Sequence, residues 1–77
     1  MNVVLYTRQG CHLCEVAREV ILAQQATSSF DFREIDIDSS DELIKEYGIR
    51  IPVVSVDDVE RFEIALEPGA FAALVRG

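Results

Sequence analysis

Basic residues are scarce in this chain: seven lysines and arginines stand against 14 aspartates and glutamates, a net charge of −7. Such a surface repels nucleic acid and anionic membranes, so neither is an expected partner. No run of about 18 apolar residues occurs, which excludes a bilayer-spanning helix. The N-terminus lacks the basic segment and long apolar core of a secretory signal, and cytoplasmic residence with reduced thiols is expected. Cysteine is limited to Cys11 and Cys14, and histidine to His12. One bridge between the two cysteines closes too short a loop to stabilise a scaffold, which favours a functional pair over a staple. Structural zinc usually takes four protein ligands, so no metal site is expected within one chain. Glu15 follows Cys14, which excludes a haem attachment motif. Repeats, linkers and low-complexity stretches are missing, and the chain is expected to form a single domain over residues 1–77. Its hydrophobic content of 49% is too high for a disordered chain.

What is present is organised around Gly10-Cys11-His12-Leu13-Cys14. An apolar run over residues 2–6 reads as a buried strand and leads through Thr7-Arg8-Gln9-Gly10 into a helical stretch. Three residues apart at the start of a helix, the cysteines share one face and lie close enough to bond. Free amides and the positive end of the helix dipole favour a thiolate there. Cys11 is therefore expected to be the exposed, acidic nucleophile, with Arg8 and His12 adding positive charge as redox-tuning residues. Cys14, one turn further in, is placed to resolve a mixed disulfide at Cys11. Cysteines at this spacing can also be small buried apolar residues with no chemistry.

Leu13, Val16, Ala17, Val20 and Ile21 form a helical apolar stripe that predicts a helix ending near Gln25. Phe30–Ile37 predicts a second strand whose broken alternation calls for a bulge or a start near Phe32. Ser39 with Glu42 fits a capping box for a short second helix, with Leu43, Ile44 and Tyr47 inward and Gly48 as its stop. Val53–Val56 predicts a third strand, Asp57-Asp58 a hairpin turn, and Val59–Ala65 the return strand. Pro68 suits the first turn of a last helix with Phe71, Leu74 and Val75 on its apolar face. The order is βαβαββα, which predicts an α/β fold with a four-stranded mixed sheet and three helices on its two faces.

The strand entering Cys-x-x-Cys, the later Ile51-Pro52-Val53 segment and the final hairpin and helix resemble glutaredoxins of the thioredoxin-like fold. Leu5–Cys14, Glu34-Ile35-Asp36-Ile37-Asp38 and Tyr47–Val53 are similar to a small bacterial glutaredoxin-like branch, and the resemblance spans nearly the whole chain. It implies a cis Ile51–Pro52 bond facing the cysteines, with Ile51 backbone groups pairing with an extended peptide or glutathione. Tyr6, Arg8, Arg50, Ile51 and Pro52 form the expected substrate-binding set. Two departures stand out. His12-Leu13 replaces the usual Pro-Tyr between the cysteines. Ala65-Leu66-Glu67-Pro68-Gly69 replaces the Gly-Gly approach to the last helix, whose amides hold a glutathione carboxylate in that family. Pro68 has no N–H to offer, and Glu67 repels a carboxylate.

The expectation is a monomeric thiol–disulfide oxidoreductase. It reduces disulfides of proteins or small thiols with electrons from an unidentified donor. It holds no tight cofactor, and its segment before the last helix argues against glutathione. The alternatives are a metal or iron–sulfur module bridging two chains through Cys11, and a redox-inactive interaction domain.

Overall fold

The computed structural model describes residues 1–76; Gly77, the last residue of the expected domain, lies outside them. The elements run β1 (Asn2–Thr7), α1 (His12–Gln25), β2 (Asp31–Asp36), a 3₁₀ turn (Ile37–Ser39), α2 (Asp41–Tyr47), β3 (Val53–Val56), β4 (Val59–Glu63) and α3 (Pro68–Arg76). The sheet order is β2-β1-β3-β4. β1 runs parallel to β2 and antiparallel to β3, and β4 is antiparallel to β3. This is the expected four-stranded mixed sheet of the thioredoxin-like fold.

Burial explains the arrangement. β3 has a neighbour on each side and all four of its residues are buried, including Ser55. Val3 and Leu5 of β1 face the same layer as Val54 and Val56 of β3, and Ala17, Ile21, Phe71 and Val75 cover that layer from α1 and α3. Phe71 packs edge-on against Phe30 and Phe62. Tyr6 points to the opposite face and stacks on Tyr47, which puts α2 on that side. The Cα radius of gyration is 11.7 Å.

Several expectations need correction. Leu13 and Val16 are exposed, and α1 buries Cys14, Ala17 and Ile21 instead. The core-facing stripe is thus rotated at the start of the helix, where the second cysteine takes the inward position. β2 spans Asp31–Asp36 with no bulge against β1, so of the two expected explanations the start near Phe32 holds. Phe30 and Ile37 are buried just outside the strand, so their opposite parities impose no conflict. The sheet irregularity lies in β4 instead, where Arg61 is the extra residue between the Val54–Phe62 and Ser55–Glu60 pairs.

The α2 cap is Ser40, whose hydroxyl accepts from the Glu42 N–H. Ser39 instead donates its hydroxyl to the Asp36 carbonyl. Leu43, Ile44 and Tyr47 form the more covered face of α2. Gly48 caps it in right-handed conformation; a Cβ there would lie 2.5 Å from the Ile44 carbonyl oxygen. The Asp57-Asp58 turn has positive φ at both residues, the twist that a two-residue hairpin requires. β4 stops at Glu63, two residues short of the expected Ala65. Ile64 there adopts φ +70°, and the Ala65 N–H closes a three-residue turn onto the Glu63 carbonyl.

Candidate functional site

Gly10, at φ +78°, turns the chain from β1 into α1 through a left-handed conformation that a side chain resists. That turn leaves Cys11 as the extended N-cap of α1. Its Sγ accepts a hydrogen bond from the Cys14 N–H at 3.2 Å. Cys11 and Cys14 are joined in a disulfide, with Cα atoms 5.2 Å apart. The two sulfurs differ in access: Cys11 is half-buried, whereas Cys14 is only 2% exposed. A helix-end amide aimed at the outer sulfur stabilises negative charge on it, and the shielded sulfur sits directly behind.

The flanking residues divide. His12 is exposed and makes no side-chain hydrogen bond among the described residues. Arg8 turns to the 3₁₀ turn, where its Nε and Nη2 both donate to Asp38 Oδ1 at 3.0 and 2.7 Å. That hydrogen bond, with the Asp38 charge, raises the Arg8 pKa above its ordinary value. Arg8, Cys14, Glu15, Arg18, Glu34 and Asp36 are among the residues lining an open cavity of about 280 Å³. An Arg18–Glu34 ion pair crosses it.

The Ile51–Pro52 bond is cis, and Pro52 is buried. Among the described residues, no backbone partner engages the Ile51 N–H or C=O. The Ile64 N–H donates to both the Arg50 and Pro52 carbonyls at 2.9 Å, which clamps the segment on either side of Ile51. Arg50 is committed elsewhere. Its guanidinium donates to the Glu46 carbonyl and to carboxylates of Glu60 and Glu63, and lies 5.3 Å from the Tyr47 ring centre. The hydrogen bond it donates to Glu60 is the main cause of its raised pKa. Tyr47 in turn stacks on Tyr6, with ring centroids 4.1 Å apart. Burial first, then the neighbouring Tyr6 phenol, pushes the Tyr47 hydroxyl up to about 12.

The segment before α3 holds a feature the sequence reading missed. Glu67 folds over the helix start, and its carboxylate accepts from the Gly69 N–H at 3.1 Å and from the Ala70 N–H. An acidic residue directly before Pro68 at the first helical position was the available signal. The Gly69 and Ala70 amides at the start of α3 are thus occupied by a side-chain carboxylate. Asp38 was the other omission, because nothing in the sequence showed which acidic residue would reach Arg8.

This fold with its Cys-x-x-Cys at the start of α1 defines a thioredoxin-like protein with a redox-type cysteine pair. The chain belongs to the glutaredoxin-like domain family (DUF836), whose pattern matches residues 2–73. A solved structure from Nitrosomonas europaea is 32% identical, with 96% of this chain and 89% of that chain covered and a TM-score of 0.80. One from X. campestris is 31% identical, covers 96% and 95%, and has a TM-score of 0.76. The glutaredoxin-like NrdH-redoxin from Escherichia coli shares the fold at 23% identity, covering 96% and 95% with a TM-score of 0.67. No curated protein matches the chain. Among the described residues, no helix is long and apolar enough to cross a membrane.

Proposed function

We propose that the protein is a cytoplasmic, monomeric dithiol oxidoreductase that reduces disulfides of proteins or small thiols. The carrying observation is the asymmetry of the pair: Cys11 caps α1 with an amide on its sulfur, and Cys14 is buried behind it. The Cys11 thiolate attacks one sulfur of the substrate disulfide, and the other sulfur leaves as a thiolate that takes up a proton. Cys14, deprotonated, then attacks Cys11 Sγ and expels the second substrate thiol. Two electrons have passed to the substrate, and Cys11–Cys14 is left as the disulfide. A dithiol reductant restores the pair by the reverse exchange.

The unpartnered Ile51 backbone supports capture of an extended segment beside Cys11. Leu13 and Ile49, 48% and 98% exposed, add apolar surface next in sequence to the site residues, which suits a protein substrate. Glutathione fits less well. Glu67 holds the α3 amides, and Arg8 and Arg50 are each bound to carboxylates of the chain itself. The thioredoxin-like activity profile ascribed to the NrdH-redoxin is the kind of behaviour this reading gives the present chain.

The test is trapping. In a Cys14→Ser variant the resolving attack is lost, so mixed disulfides with substrates should accumulate on Cys11. In single-cysteine variants Cys11 should alkylate faster than Cys14 near neutral pH, with a thiolate below the free-thiol range. Faster reaction at Cys14 would sink the assignment of roles.

A further inference from the structure

The charge next to the cysteine pair is not a free cation. Arg8 stands three residues before Cys11, in the loop that delivers it, and shares a cavity wall with Cys14. Both its Nε and Nη2 converge on one oxygen of Asp38, thirty residues away in sequence. Asp38 is itself held in place. Its N–H donates to Asp36 Oδ1 at 2.9 Å, and the Ser39 hydroxyl donates to the Asp36 carbonyl at 2.6 Å. The carboxylate therefore rides on a pinned 3₁₀ turn, and the guanidinium docks on it.

We infer that Asp38 is a positioning residue that sets the thiolate stability of Cys11, by making Arg8 one half of a near-neutral pair instead of a lone positive charge. The inference rests on the oxidoreductase reading for its purpose, but not for its measurement. The other charged groups around the cavity are Glu15 and Arg18 on α1 and Glu34 and Asp36 on β2. Arg18 and Glu34 are paired with each other, and Asp36 adds to the negative field on Arg8. His12 lies exposed on the first turn of α1. None of these groups changes when Arg8 or Asp38 is replaced.

Removing either partner uncovers the other. Asp38→Asn leaves a net positive Arg8 and favours the Cys11 thiolate. Arg8→Gln leaves a net negative Asp38 and disfavours it. With both replaced, the field at Cys11 returns to near its original value. Acting over a few ångströms to a Debye length through solvent, one uncovered charge changes the thiolate population by about two- to fivefold. A threefold change in the thiol–disulfide equilibrium corresponds to about 14 mV for this two-electron couple.

The measurement is the pH–rate profile of Cys11 alkylation, with every variant built on Cys14→Ser so that only one thiol reacts. Below the thiol pKa, Asp38→Asn should react about two- to fivefold faster than its parent, and Arg8→Gln slower by a similar factor. The double variant should return to the parent rate, and Asp38→Glu should match it. Both single-variant effects should shrink at 1 M salt, where the Debye length is about 3 Å. If Asp38→Asn reacts like its parent and the double variant behaves like Arg8→Gln, Arg8 acts alone and the inference is overturned. Failure of Asp38→Glu to restore the parent rate also overturns it, because the role would then be structural. A redox titration of the unmodified protein that finds no Cys11–Cys14 disulfide would refute the oxidoreductase reading, without touching the alkylation result.

Discussion

Replacing Glu67 by alanine separates two roles that one carboxylate combines. The side chain accepts from the Gly69 and Ala70 N–H groups, so its loss leaves the first turn of α3 without a cap. Losing a capping side chain costs about 1 kcal/mol, within a range of roughly 0.5–2. A chain of 77 residues has a total stability of about 4–12 kcal/mol at the usual per-residue values, so the loss is measurable but not unfolding. The melting temperature should fall by about 4–8 °C for each kcal/mol in a domain of this size. The effect should reach the core, because α3 carries Phe71 and Val75 into it. A circular-dichroism melt reads this part.

The second role is exclusion. With the carboxylate gone, the two amides are open to an anionic ligand, and glycine at both Glu67 and Pro68 adds a further N–H. Hydrogen bonds to a charged group contribute about 1.5–3 kcal/mol, which corresponds to roughly tenfold or more in affinity. A glutathione-coupled disulfide assay should accordingly be weak for the parent and rise in the Glu67→Gly, Pro68→Gly variant. An unchanged melting temperature in Glu67→Ala would refute the cap. Robust glutathione turnover by the parent would refute the exclusion.

Two other outcomes follow from the same geometry. Tyr47 is pushed from its ordinary 10.0 to about 12, so the unfolded chain loses that proton first; its contribution to stability is complete below pH ~10 and is lost as pH rises toward ~12. An absorbance titration of Tyr6→Phe, with Tyr47 the one tyrosine left, should still show a midpoint above the ordinary value, and a midpoint at 10.0 would show that burial does not shield it. For the facing of α1, Ile21→Ala should cost about 2–5 kcal/mol in a denaturant titration and Leu13→Ala no more than about 0.5, with equal losses refuting it.

The order of elements was readable because each boundary has a local cause. Gly10 supplies a positive φ, the paired Asp57-Asp58 supplies two, and Pro68 opens a helix it could not continue. What failed were choices between neighbours. Ser39 and Ser40 are both good caps, and only packing decides which hydroxyl faces α2. Leu13 and Val16 fit an apolar stripe by spacing, yet Cys14 takes the inward position at the helix start. Phe30 and Ile37 looked like strand residues because they are buried, although the ladder ends inside them. At the site, spacing placed the cysteines at a helix start, and the structure has Cys11 as the N-cap with Cys14 buried behind it. The partners of Arg8, Arg50 and Glu67 were not legible, because a long charged side chain reaches several groups and the sequence carries no direction for it.

Ile64 gives the molecule an internal reporter. Its amide hydrogen is shared between the carbonyls of Arg50 and Pro52, one on each side of Ile51. That proton cannot exchange with solvent while either half of the clamp is closed. Its exchange therefore times the moment at which the segment around Ile51 lets go of Ile64, and a captured peptide that braces Ile51 should lengthen that time at this one position.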